Sequence, residues 1–257
     1  MFFNMQLNRV NKMKYLLFML PIYFFSCKHG GDTAPTEGET PSLQQIYAYN
    51  TVIEEPSGIT YKASDNSFLV VSDASSTVYK IDSTGTVLGA IKTDGKNYEG
   101  ISLSSAEDTI YIAEETKRQI AKFTAAGKRI ASFSVDVAAG DSHSLEGICA
   151  GADNKLYILN EKEPCMLLEY TGAKETMRKE ITFSSDLSDI FYEKETGYLW
   201  IVSDESKAVF KLTTGGILIK KYSISFDKGE GITIANKKIY IVNDSNGKLY
   251  VFKRPDD

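Results

Sequence analysis

The sequence has 257 residues, a length that accommodates one or two domains. It contains 34 acidic and 29 basic residues, which give a formal net charge of −5. Because nucleic-acid-binding surfaces are basic, this balance argues against a nucleic-acid partner.

Residues 1–27 have the layout of an export signal. A short basic region precedes an apolar run over residues 15–25, which is too short to cross a bilayer as a helix. The basic residues are Arg9, Lys12 and Lys14.

The end of this segment, Phe24-Phe25-Ser26-Cys27, is similar to a bacterial lipobox, in which the cysteine becomes lipid-modified. Phe24 replaces the usual leucine and Phe25 is bulky, so an ordinary secretory signal is the alternative. We favour lipidation of Cys27, because residues 28–41 form a linker of Gly, Pro, Thr and Glu with the composition of a flexible tether. We therefore expect a monomer in the cell envelope, anchored by lipid to the inner or the outer membrane.

A short motif then recurs along residues 42–257. It has the form Glu-Gly-Ile or a close variant, and its copies are spaced by 42, 47, 42 and 42 residues. Such a period indicates a repeat architecture. The copies are Ser57-Gly58-Ile59, Glu99-Gly100-Ile101, Glu146-Gly147-Ile148, Ser188-Asp189-Ile190 and Glu230-Gly231-Ile232.

Each repeat contains four short strands separated by turn residues. The second strand is almost continuously apolar, as in Leu199-Trp200-Ile201-Val202, whereas the fourth is more polar. This pattern predicts an all-β fold, a propeller of four-stranded antiparallel blades, with five blades by repeat count and six as the alternative. The last repeat lacks its fourth strand, and we expect the N-terminal strand 45–49 to close the ring beside residues 248–252.

The topology brings the start of each first strand and the end of each second strand to one mouth of the central channel. Oxygen ligands from several blades would suit Ca²⁺ or Mg²⁺, and crowded carboxylates without a counter-ion should have raised pKa values. The alternative is that each polar residue satisfies the N–H groups of its own turn. The candidate ligands are Glu99, Glu146, Glu230, Asp204, Asn160 and Asn243.

Three further residues have side chains with possible chemistry. His143 lies in the long connection that accounts for the spacing of 47, where it is a candidate base, although a solvated loop histidine is the simpler interpretation. Cys149 and Cys165 fall on non-adjacent strands, roughly 10 Å apart if strands are ~4.8 Å apart, which is beyond disulfide reach. We expect both to be small buried hydrophobic residues.

The sequence resembles the SdiA-regulated (YjiK-like) family of bacterial envelope proteins through Tyr98-Glu99-Gly100-Ile101, Leu145-Glu146-Gly147-Ile148, Leu187-Ser188-Asp189-Ile190 and the stretch 229–232. The resemblance implies an envelope β-propeller without a settled activity. More distantly, the polar channel mouth resembles calcium-dependent propeller lactonases and esterases, which typically have six blades. Two functions follow: a binding or scaffold module for a divalent cation or a cationic ligand, and a metal-dependent hydrolase of esters or lactones.

Overall fold

The computed structural model describes residues 40–137 and 145–256, which lie in one compact unit, Glu39–Asp257. Its regular structure is almost entirely β, and β1 (Gln45–Asn50) precedes the first blade. Blade one contains β2 (Pro56–Lys62), β3 (Ser67–Ser72), β4 (Thr77–Ile81) and β5 (Val87–Lys92). Blade two contains β6 (Tyr98–Leu103), β7 (Thr109–Glu114), β8 (Gln119–Thr124) and β9 (Arg129–Ser134).

The remaining blades repeat this order. Blade three contains β10 (Leu145–Ala150), β11 (Lys155–Asn160), β12 (Met166–Thr171) and β13 (Lys174–Glu180). Blade four contains β14 (Asp189–Glu193), β15 (Tyr198–Ser203), β16 (Ala208–Leu212) and β17 (Leu218–Ser223). Blade five contains β18 (Gly229–Ala235), β19 (Lys238–Asn243) and β20 (Lys248–Lys253), with β1 as its fourth strand. The five-bladed propeller is thereby confirmed.

The first strands form the innermost layer of the ring. Each contacts the first strand of the next blade, and contact between β18 and β2 closes the circle. Burial follows this radial order: all of β3 is buried, whereas alternate residues of β5 are exposed. Strands that face other blades on both sides must be apolar on both faces, and an outermost strand needs only one apolar face.

Five hydrophobic clusters hold the blades together, one between each neighbouring pair. Each contains the isoleucine of one repeat motif, which is why that residue recurs at every copy. Burying an isoleucine side chain contributes about 1.5–3 kcal/mol. The five are Ile59, Ile101, Ile148, Ile190 and Ile232.

The N-terminal strand closes the ring as the sequence predicts. β1 pairs antiparallel with β20, with Tyr47 opposite Val251 and Asn50 opposite Lys248. The residues just before it also contact blade four, because Leu43 donates its amide to the Ser223 carbonyl over 3.0 Å. The last blade is therefore built from both ends of the described chain, and the outer edge of β20 is covered.

Other predictions fall on parts of the chain without a described structure. The export signal, Cys27, nearly all of the tether and His143 lie outside the described residues. Within residues 40–137 and 145–256, no helix has the length and apolar character needed to cross a membrane.

Candidate functional site

A β-bulge marks the repeat motif in four of the five first strands. The register with the second strand shifts between Pro56 and Gly58 in β2, and at the equivalent places in β6, β10 and β18. A bulge inserts one extra residue and redirects the local side chains. In this propeller it places the motif glutamates at the mouth of the channel, while the isoleucines that follow pack between blades.

The motif glycines let the first strands approach one another closely around the axis. A Cβ atom on Gly100 would lie 2.7 Å from the carbonyl oxygen of Glu146, and one on Gly147 would lie 2.6 Å from the Cα atom of Asp189. Real Cβ atoms do not tolerate such distances, so only glycine fits at these positions. The narrow axis brings glutamates from different blades close together.

These residues line a cavity of about 360 Å³ at one end of the channel, which we call the acidic mouth. Among residues 40–137 and 145–256, the side chains that line it are all polar or charged, with eight carboxylates and one lysine. The lining residues are Glu55, Ser57, Asp73, Glu99, Glu115, Glu146, Glu161, Ser188, Lys228, Glu230 and Asp244.

The electrostatics of the acidic mouth follow from this crowding. Burial raises the pKa of Glu99 and of Glu146 well above the ordinary range, and the neighbouring carboxylates raise each further. Among residues 40–137 and 145–256, no basic side chain forms an ion pair with either of them. The raised pKa values expected for crowded like charges are therefore present.

Glu230 differs because a lysine lies beside it. Burial raises the pKa of Glu230 to about 7, although the positive charge of Lys228 opposes the rise. The Nζ atom of Lys228 lies 3.8 Å from Oε1 of Glu230 and 3.0 Å from Oδ2 of Asp204. Lys228 therefore offsets part of the negative charge on one side of the mouth, at Asp204 and Glu230.

Three candidate ligands are engaged elsewhere. Asp204 pairs with Lys228 and accepts its backbone N–H, and it is not among the lining residues. Asn160 donates to the carbonyls of Lys162 and Pro164. Asn243 donates to the carbonyl of Asp227 and accepts from the amide of Asn246, 3.1 Å away. These side chains form hydrogen bonds with backbone groups of nearby turns, while the buried Oδ1 atom of Asn160 has no hydrogen-bond partner within the described residues.

The carboxylates of the mouth are spread around a ring. Within the part of the chain that the structure describes, no three acidic, histidine or cysteine side chains are placed to hold one metal ion together. The arrangement is therefore more open than a preformed chelating site, and it presents negative charge on several sides of a cavity.

Directly below the mouth, Asp189 fills the axis where the other four repeats have glycine. Its side chain is fully buried, and Oδ2 accepts the amide N–H of Ile232 over 2.9 Å. Burial raises the pKa of Asp189 well above its usual value, while nearby backbone N–H groups of other blades oppose the rise. The role of Asp189 was not predicted, although its departure from the repeat was visible in the sequence.

A second cavity, of about 220 Å³, lies beyond Asp189 at the opposite end of the channel. We call it the apolar cavity. It is lined by the later residues of the first strands of blades one to four and by a loop of blade two. The lining includes Ile59, Tyr61, Ile101, Leu103, Ile148, Cys149, Ile190, Phe191 and Tyr192, with Ser104, Ser105, Glu107 and Lys194 among the more polar residues.

The cysteines agree with their prediction as small buried residues. Cys149 in the wall of the apolar cavity and Cys165 are both buried and unbridged. Burial raises the pKa of both thiols, so neither is an activated nucleophile.

A comparison with family models shows to which protein family the chain is related. The model described as SdiA-regulated matches residues 43–256, which is the whole propeller. The chain belongs to the SdiA-regulated family. The match covers all five repeat motifs, so the acidic mouth and the apolar cavity both lie within the SdiA-regulated region.

Solved structures with similar folds are distant in sequence. A catalytically inactive virginiamycin B lyase from Staphylococcus aureus, crystallised with quinupristin, has a TM-score of 0.50 and 18% identity, over 77% of this chain and 66% of the lyase. A nidogen/laminin complex gives a TM-score of 0.59 at 14% identity, over 77% and 75%. Hydrazine synthase from Kuenenia stuttgartiensis gives 0.50 at 13% identity, over 76% and 57%.

At these identities the likeness concerns the fold alone. The chain also spans just under two thirds of the length of the lyase. The SdiA-regulated chain therefore shares a β-propeller architecture with these proteins.

Proposed function

We propose that this protein is a lipid-anchored binding module of the cell envelope whose acidic mouth binds a ligand with more than one positive charge. The observation that carries the proposal is the pair Glu99 and Glu146, two half-buried carboxylates without a basic partner in the described ranges. Crowded carboxylates are costly when ionised, and a bound cation relieves that cost.

The width of the mouth favours an extended cation over a single chelated ion. A cavity of about 360 Å³ has room for a small organic molecule. Its carboxylates come from several blades and are not grouped in threes around one point. A polyamine can place separate ammonium groups against separate carboxylates, whereas Ca²⁺ draws six to eight oxygens within about 2.6 Å of one centre.

Calcium remains part of the proposal as the alternative source of positive charge. Hydrated Ca²⁺ or Mg²⁺ would meet the carboxylates Glu99, Glu146 and Glu230 through water. Either cation stabilises the folded protein if it binds only that state.

The test is a set of melting curves and calorimetric titrations of the soluble propeller with spermidine, Ca²⁺, Mg²⁺ and Mn²⁺. At ligand concentrations ten times Kd we expect a stabilisation of about 1.4 kcal/mol, from RT ln(1 + [L]/Kd). The gain should shrink as salt screens the carboxylates.

Glu146→Gln removes one charge from the acidic mouth, and Glu195→Gln removes one from an exposed position outside it. The first should weaken spermidine binding at least fivefold, and the second should leave it unchanged. A wild-type protein that responds to none of the four cations would overturn the proposal. A response to the metal ions but not to spermidine would replace the polyamine with a metal.

The anchor has its own test. If Cys27 carries lipid, Cys27→Ser should move the protein from the membrane to the soluble fraction and abolish fatty-acid labelling. A Cys27→Ser protein that stays with the membrane places the anchor elsewhere. Attachment through more than one acyl chain would resist washing with salt, since a single chain binds only marginally.

We do not propose the hydrolase alternative as the function. An ester or lactone hydrolase needs an apolar surface for its substrate beside the metal. In the part of the chain that the structure describes, the walls of the acidic mouth consist of charged residues and serines, and the apolar cavity opens at the other end of the channel. The candidate base His143 lies outside the described residues.

A further inference from the structure

We propose that the apolar cavity is a second binding site, for a small ring compound that carries a carboxylate. This inference is independent of the proposed function. It rests on the volume of the cavity, the character of its walls and the charge at its rim.

The cavity has suitable size and walls. An engineered apolar cavity of about 150 Å³ stays dry and binds benzene, so 220 Å³ accommodates a substituted ring. Phe191 and Tyr192 are half-buried and present ring surface to it, and the isoleucines of four blades, which are buried between the blades, border it. Apolar walls with a few polar groups at one side are typical of small-molecule sites.

The charge at the rim selects the head group. Glu107 accepts the amides of Ala63 and Ser64 over 2.7 and 3.2 Å and lies 3.7 Å from the Nζ atom of Lys62, so its charge is already matched. Lys194 is exposed, and no ion pair within residues 40–137 and 145–256 includes it. The unmatched charge at this rim is therefore positive.

We expect the two cavities not to exchange ligands along the axis. The first strands approach one another closely at the motif glycines between them, and Asp189 is fully buried there. A compound in the apolar cavity therefore enters from the side of Lys194, with its ring toward the isoleucines and its carboxylate toward solvent and the ammonium group. A cationic analogue would meet an opposing charge there.

Three probes of nearly equal size separate the contribution of the ring from that of the charged head group: phenylacetate, phenylacetamide and phenethylamine. Methyl NMR of isoleucine-labelled protein reports the location directly. We expect phenylacetate to shift the Ile59, Ile101 and Ile148 methyl signals, the neutral amide to do so more weakly, and the amine to leave them unchanged.

Variants at the rim test the charge and the entrance. Lys194→Gln should weaken phenylacetate two- to fivefold, the range of an exposed ion pair, and leave the amide unaffected. Lys174→Gln, at an exposed position on β13, is the matched control and should change neither affinity. Ser105→Trp should obstruct entry for both ligands without disturbing buried groups, since Ser105 is exposed.

Three outcomes would overturn the inference. The first is the absence of methyl shifts with every probe up to solubility. The second is equal binding of phenethylamine, which would remove the role of charge. The third is binding that Ser105→Trp leaves intact, because the ligand would then occupy another surface.

Discussion

The two ends of the channel share the first strands of blades one to four, yet they differ in almost every physical property. Before the motif glycine, the strands supply carboxylates such as Glu99 and Glu146 to the acidic mouth. After it, they supply isoleucines, Cys149 and aromatic rings to the apolar cavity. In four of the five blades a bulge and a glycine separate the two ends, and in blade four Asp189 takes the place of the glycine, so a repeat of about 42 residues encodes two unlike surfaces.

Glu193, beside the apolar cavity, and Glu146, in the acidic mouth, also differ in their partners. Burial alone would raise the pKa of Glu193, next to Lys194, but hydrogen bonds from Arg254, Thr196 and Trp200 lower it overall. Burial raises the pKa of Glu146 in the acidic mouth, and neighbouring carboxylates raise it further. Glu193 is therefore held by donors from its own blade and from the C-terminal segment, whereas Glu146 forms no ion pair within residues 40–137 and 145–256.

The largest loss of stability is expected from a substitution at one of the closely packed glycines between the two ends of the channel. Gly147→Ala would place a Cβ atom 2.6 Å from the Cα of Asp189 and force two blades apart, so we expect a loss of about 3 kcal/mol in the free energy of unfolding. Urea denaturation measures it. Gly89→Ala is the control, because no atom lies within 4 Å of its added Cβ. Equal losses for both variants would contradict the close packing at the axis.

A single type of substitution should have opposite effects at the two carboxylates. Glu193→Gln removes the carboxylate that pairs with Arg254 and should cost about 2 kcal/mol. Glu146→Gln removes a repelled charge and should leave the unliganded protein equally or more stable. Urea denaturation of both variants at pH 7 measures the difference, and a loss of stability in Glu146→Gln would assign that residue a structural role instead.

Glu230 and Glu193 should also contribute with opposite signs to the pH dependence of stability. The pKa of Glu230 is raised to about 7 in the folded state, so the folded protein binds more protons than the unfolded chain between about pH 4.5 and 7. Its contribution to stability is full below that window and is lost as pH rises through it, by about 1 kcal/mol after solvent screening. The lowered pKa of Glu193 has the opposite sign: its contribution is present above about pH 4.5 and is lost in more acidic solution.

Glu230→Gln should therefore reduce the loss of stability between about pH 4.5 and 7. Glu193→Gln should reduce the loss of stability below about pH 4.5. Thermal unfolding measured from pH 3 to 8 separates these two losses of stability. A decline toward pH 7 that persists in Glu230→Gln would assign it to other carboxylates of the mouth.

The smallest effect is expected at Lys228, which lines the acidic mouth beside Glu230. Lys228→Gln removes a half-exposed ion pair and should change stability by less than about 0.5 kcal/mol. It also removes a positive charge that lies beside Glu230, so spermidine should bind about twofold more tightly. Weaker spermidine binding would indicate that Lys228 helps to hold the ligand.

Much of this architecture was accessible from the sequence because it repeats. The motif spacing gave the correct number of blades, the missing fourth strand predicted the closure by β1, and antiparallel topology predicted that Glu99, Glu146 and Glu230 lie at one mouth. The hydrogen-bond partners of individual side chains could not be predicted from the repeat. Asn160 and Asn243 lie at the ends of second strands, but local turns use their hydrogen bonds.

The apolar cavity was missed for a different reason. Its walls come from strand residues whose apolar pattern is identical to that of an ordinary core, and only the packing of blades one to four leaves a space there. Asp189 gave a signal in the sequence, an acid where four repeats have glycine, but a single departure does not reveal whether the side chain points to solvent or to the axis.

The pairing of β1 with β20 has a consequence for the order of assembly. Tyr47 and Val251 meet across the closing sheet although they stand near opposite ends of the propeller sequence. A chain synthesised from its N-terminus can complete blades one to four from local hairpins, but β1 has no partner until β20 exists. Ring closure is therefore the last step in time as well as the longest-range contact, and until then both β1 and the inner edge of β2 stay uncovered. The interval between synthesis of β1 and of β20 is the period when a second unfinished copy competes for the same edge, so exchange of this strand between copies is the misassembly to which this propeller is most exposed.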